Sequence, residues 1–83
     1  MIEIYDLEEL NVVIDNKVGT VKKKLVSCDG SFYVVSENTL LKETLIFRSD
    51  PIGKVDNYLE VGGGRGLTIE EILADFKGHL FNW

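Results

Sequence analysis

Gly62-Gly63-Gly64-Arg65-Gly66 is the part of this 83-residue chain that looks most like a ligand site. Backbone N–H groups in a glycine-rich turn that opens a helix can cradle a phosphate, and an arginine beside them adds charge. The details point away from a nucleotide. No Gly-Lys-Ser/Thr triplet follows, so the run is not a P-loop, and Leu67 stands where the dinucleotide fingerprint needs a glycine. Glu70 and Glu71 would repel an anion at that helix end. The run is expected to be a flexible connection between a strand and a helix. His79 and Cys28 are the only histidine and the only cysteine. Catalysis would need a base and an orienting partner that the residue inventory does not present. His79 reads as a helix-surface or half-buried residue and Cys28 as a packed thiol beside a turn. One cysteine excludes an internal disulfide and a cysteine-based zinc site. No catalytic residue, metal or cofactor is expected.

A protein-binding role has better material. Asp56, Tyr58 and Glu60 alternate on one face of an expected strand, and a tyrosine flanked by acids suits a basic protein surface. Arg65, Glu70 and Glu71 complete the candidate partner-binding set. The net charge is −5, from fourteen acids and nine bases. It is unevenly placed: residues 1–15 hold five acids and no base, and residues 16–24 hold four lysines and no acid. A net-negative domain repels a phosphate backbone, so direct nucleic-acid binding is disfavoured despite Lys22-Lys23-Lys24. Attraction to a basic protein surface is favoured instead.

The elements that must position these residues fit one domain, residues 1–83, because the chain is too short for two cores. With 45% hydrophobic and 28% charged residues and one proline, the composition is that of a globular chain. No apolar run reaches the roughly 20 residues of a membrane helix. The acidic start, MIEIYDLEEL, lacks the basic region of a signal peptide, so a cytoplasmic location is expected.

Ile2–Tyr5 reads as a short strand and Asp6–Leu10 as one helical turn capped by Asp6. Val12-Val13-Ile14 runs into the turn-prone pair Asp15-Asn16. Val18–Ser27 and Ser31–Ser36 flank Cys28-Asp29-Gly30, a hairpin signal. In the first of these strands Lys22 and Lys24 oppose Lys23, which sits with Val21 and Leu25, so a lysine stem lies along apolar surface or the strand bulges. Leu40–Arg48 and Lys54–Val61 form a second hairpin across Asp50-Pro51-Ile52-Gly53, a type I turn sequence. Thr68 and Glu71 make a capping box, with Leu67 and Ile72 as its hydrophobic staple. Ile69, Ile72, Leu73, Phe76 and Leu80 give the following helix one apolar stripe, weakened by Gly78. Phe81 and Trp83 are expected to fold back onto the core. The expected class is α+β: a small twisted antiparallel sheet of about four strands with a C-terminal helix packed on one face.

Residues 43–83 resemble a group of small, uncharacterised phage-encoded proteins. The matching pattern is Glu43-Thr44-Leu45-Ile46-Phe47, Asp50, Gly53-Lys54-Val55, Tyr58, Glu60, Arg65, Thr68, Glu70-Glu71 and Trp83. Tyr58 stands where tryptophan is usual, and the glycine run with Gly66 replaces an acidic stretch and a tyrosine. The resemblance implies a phage or prophage origin and no known activity. Together with size, charge and the missing catalytic sets, it leads to one expectation. The protein is a non-catalytic accessory protein that inhibits a host protein, as anti-CRISPR proteins do, its acidic surface occupying a basic nucleic-acid-binding site. The alternatives are a structural or assembly component of the phage particle and a nucleotide binder using the glycine loop.

Overall fold

The computed structural model describes residues 1–55 and 59–81. Five strands follow one another as an antiparallel meander in the order β1-β2-β3-β4-β5. They are β1 (Ile2–Ile14), β2 (Lys17–Cys28), β3 (Ser31–Asn38), β4 (Glu43–Ser49) and β5 (Glu60–Arg65). A short helix α1 (Ile69–Ala74) and a 3-10 turn (Lys77–His79) follow β5 among the described residues. The expected antiparallel sheet with a C-terminal helix is present, with five strands rather than four.

Two-residue turns close the first two hairpins. Asp15 and Asn16 have φ of 50° and 63°, and Asp29 and Gly30 have φ of 50° and 84°. Positive φ at both central positions gives the twist that adjoining strands need, and Asn, Asp and Gly tolerate it. Lys22, Lys24, Val26 and Cys28 face one side of β2, opposite Glu37, Val35, Tyr33 and Ser31 of β3. That side carries the core. Val26, Cys28, Tyr33, Val35 and Ile46 pack under Ile69, Ile72 and Phe76. Phe76 meets Tyr33 edge to face, with ring centres 5.1 Å apart. Thr44, fully buried in the same layer, donates its hydroxyl to the Leu67 carbonyl at 2.6 Å, so no polar atom is stranded there.

Asp6–Leu10 is strand, not a helical turn. Its acids lie opposite the lysine block, Asp6 to Lys24, Glu8 to Lys23 and Glu9 to Lys22. Cross-strand pairing of opposite charges outweighs a local cap on so short a segment. The lysine-bearing strand β2 pairs with β3 without a bulge; the irregularity lies in its neighbour β1, where Leu7 is the unpaired residue. It aims Leu7 at the Asp50–Gly53 turn: a Cβ on Gly53 would lie 3.1 Å from both Leu7 methyl carbons. That turn is as expected, with the Gly53 N–H donating to the Asp50 carbonyl at 3.2 Å.

The second half needs three corrections. β4 starts at Glu43 rather than Leu40, because residues 39–42 form the β3–β4 loop. The Asn38 carboxamide oxygen accepts there from the N–H groups of Leu40 and Leu41, both at 3.0 Å. The partner of β4 is residues 60–65, not 54–61: Phe47 lies opposite Glu60 and Glu43 opposite Arg65. The helix stops at Ala74, since Asp75 leaves helical geometry at φ −144° and Leu80 is drawn into a bridge with Gly62. The capping box holds in both directions, Glu71 N–H to the Thr68 hydroxyl at 3.2 Å and Thr68 N–H to the Glu71 carboxylate at 3.0 Å. Thr68→Ala should therefore cost about 1 kcal/mol in a denaturant melt. A loss of a few tenths would mean the cap contributes little.

Candidate protein interface

The six expected partner-binding residues do not form one face. Asp56 and Tyr58 lie outside the described residues. Glu60 and Arg65 sit at opposite ends of β5, about 17 Å apart at strand rise. Arg65 pairs with Glu43 at 3.6 Å. Glu70 pairs with Lys22 at 3.6 Å, and its own backbone N–H, ahead of Lys22, holds its carboxyl below the usual range. Glu71 is engaged in the helix cap. Among the described members, Glu60 alone is exposed with no other role shown.

The glycine run is a strand rather than a connection. A Cβ on Gly62 would overlap the His79 carbonyl oxygen, and one on Gly63 the Thr44 carbonyl oxygen. Gly63 also has φ of +118°. The missing side chains let β5 sit against β4 on one side and the Leu80 segment on the other. His79 donates from Nδ1 to the Asp75 carbonyl at 2.8 Å. Cys28 is 3% exposed, a packed thiol as expected. The Phe81 N–H donates to the Val61 carbonyl at 2.7 Å, but its ring is 55% exposed, so only the backbone folds back. Trp83 lies outside the described residues.

The basic block is internally neutralised. Lys23 pairs with Glu8 and Lys24 with Asp6, both at 3.4 Å, and Lys22 reaches Glu70. Each pair is partly exposed and contributes little stability. Together they remove a cationic patch that phosphates would otherwise find. The depression of about 340 Å³ at the β1 bulge is lined by Asp6, Glu8, Lys23 and Lys24, which pair with one another, together with Leu7, Lys22 and Glu9, the last in no ion pair among the described residues.

What remains exposed is β1. It is an edge strand of 13 residues with no basic side chain, and all but one of its residues are exposed. Glu3, Glu9 and, at the following turn, Asp15 take part in no ion pair among the described residues. Beyond the end of β3 the two strands run on as a ribbon carrying Val13, Ile14 and Val18, the last 71% exposed. Sequence reasoning missed this surface. The available signal was the placement of Glu9 and Glu8 at the same distances from the Asp15-Asn16 turn as Lys22 and Lys23, with Asp6 one residue farther out than Lys24.

At the far end of the sheet Asp29 takes Lys77 at 2.6 Å and the N-terminal ammonium at 3.6 Å. The hydrogen bond from Lys77, then its charge, holds the Asp29 carboxyl below the ordinary carboxylate value. A lowered folded-state pKa adds stability that is complete above the unfolded value and is lost as pH falls through the folded value. Thermal midpoints should thus fall on acidification below about pH 4, with part of that fall absent in Asp29→Asn. Identical acid limbs would show the contact to be inert.

The fold and surface define a class: a small antiparallel meander with one short helix and an acidic, unpartnered edge strand. Compared with known proteins, the chain matches no family model, no curated protein and no solved structure. Among the described residues no cluster of three or more His, Cys, Asp or Glu converges as a metal site would. No helix there is long and apolar enough to cross a membrane.

Proposed function

We propose that this protein is a non-catalytic accessory protein of phage type that inhibits a host protein by covering a basic, nucleic-acid-binding surface. The placement of charge supports this reading. The lysines that could bind phosphate are held in ion pairs by Asp6, Glu8 and Glu70, whereas Glu3, Glu9 and Asp15 lie on or beside an open sheet edge in no ion pair among the described residues. Such a surface attracts basic partners and repels nucleic acid, so it competes for the site instead of joining the complex. The expected setting is the host cytoplasm.

The exposed ribbon favours a second reading, a component of the phage particle, because apolar tips suit assembly contacts. Capture with the tagged protein from nuclease-treated bacterial lysate separates the two. The inhibitor reading expects one stoichiometric nucleic-acid-binding protein that is released as salt is raised toward 1 M, where screening acts within about 3 Å. Capture indifferent to salt, or none at low salt with self-association on a sizing column, would favour the particle component.

A further inference from the structure

We infer that the outer edge of β1 between Glu9 and Val13 is a strand-addition site for an extended segment with basic residues flanking an apolar stretch. The inference rests on the protein-binding reading above and names how the partner is held. Ile14 opposite Lys17 and Cys28 opposite Ser31 each close a two-residue turn, so each is a hydrogen-bonded pair. Alternation from those pairs turns the backbone groups of Leu10, Val12 and Ile14 inward to β2. The N–H and C=O groups of Glu9, Asn11 and Val13 then face outward. No other backbone hydrogen bond engages them among the described residues. Such an edge is a template for another strand.

The bulge at Leu7 interrupts the edge and limits a straight partner to one side of it. The Ile2–Asp6 side has its acids engaged: Glu3 accepts from the Tyr5 hydroxyl at 2.6 Å and Asp6 holds Lys24. On the Glu9–Val13 side, Glu9 and Asp15 bracket the uncharged run Leu10–Ile14, and Leu10 and Val13 are 49% and 67% exposed. Charge chooses the occupant. A second copy aligned so that Leu10–Ile14 pairs with itself sets Glu9 against Asp15 of that copy at both ends, which is repulsive. A segment with lysine or arginine at each end of an apolar core is attracted at the same two places.

The probe is a blocked nine-residue peptide with lysines flanking a valine-threonine core, titrated into the full chain at low salt and followed by fluorescence anisotropy. Saturable binding is expected, with a glutamate-for-lysine counterpart weaker by at least roughly tenfold. Val13→Pro removes an outward N–H and should abolish binding while leaving the thermal midpoint nearly unchanged. N-methylation of the peptide on its pairing edge should do the same without altering the protein, and serves if the proline variant fails to fold. Equal binding of the glutamate or N-methyl peptide, no binding of the lysine peptide, or a dimer that Val13→Pro converts to monomer would each overturn the inference. Salt-sensitive capture of a host protein that survives Val13→Pro would overturn strand addition while the inhibitor reading stands.

Discussion

Phe76→Ala is expected to lower the unfolding free energy by about 3–5 kcal/mol, against a total of about 4–12 kcal/mol for a chain of this length. Phe76 is the largest fully buried side chain among the described residues and 1% exposed. It lies two residues beyond α1, so its ring ties the C-terminal segment to the sheet. Removing it creates a cavity between Tyr33, Ile69 and Ile72 and forfeits the edge-to-face contact, itself worth about 0.5–1.5 kcal/mol. Urea titration reads the effect directly. Phe81→Ala is the internal comparison, because a half-exposed ring should change stability by only about 0.5 kcal/mol. Similar losses for the two would mean that the helix is not what closes the core.

Gly63→Ala should destabilise by about 2–6 kcal/mol, combining a φ that L residues rarely adopt with overlap on the Thr44 carbonyl. The sign is diagnostic. In a flexible connection the same change would be neutral, or stabilising by about 0.4–1 kcal/mol, through the reduced entropy of the unfolded chain. Gly30→Ala isolates the conformational part: Gly30 has φ of +84° with nothing within 4 Å of its Cβ position. It should cost about 1–2 kcal/mol. If Gly63→Ala costs no more than Gly30→Ala, the close packing of β5 on β4 is not what the glycine serves.

These two positions also show what was legible before the structure. Asp15-Asn16, Asp29-Gly30 and the Asp50 turn carry their geometry in residue type, and Thr68 with Glu71 does the same for the helix start. Alternation does not reveal the core face of β2–β4, because that face carries Lys22, Lys24 and Thr44 beside Val26, Val35 and Ile46, while Leu25, Val34, Leu45 and Phe47 lie on the other side. β1 could not be read by alternation either, because the Leu7 bulge reverses its phase. Ile2 and Ile4 point to the helix side, whereas Leu10, Val12 and Ile14 point to the other, although all five are even-numbered. β5 was hidden for a different reason. Three successive glycines have the lowest strand propensity, and only contact with Thr44, His79 and Leu80 makes a strand of them. The end of α1 is likewise a tertiary effect, since the apolar stripe continues to Leu80 while the Gly62 bridge ends the helix early. The candidate interface shares this origin. The acids of β1 are visible in sequence, but the order of the sheet leaves them on an open edge.

The most direct test of the central claim is competition. The captured host protein, bound to a labelled nucleic acid, is titrated with this protein at physiological salt and followed by anisotropy. Displacement of the nucleic acid at near-stoichiometric protein is the expected result, weakened by Glu9→Lys and by added salt. A stable ternary complex, with the nucleic acid retained at saturating protein, would contradict the claim that the acidic surface occupies the nucleic-acid site.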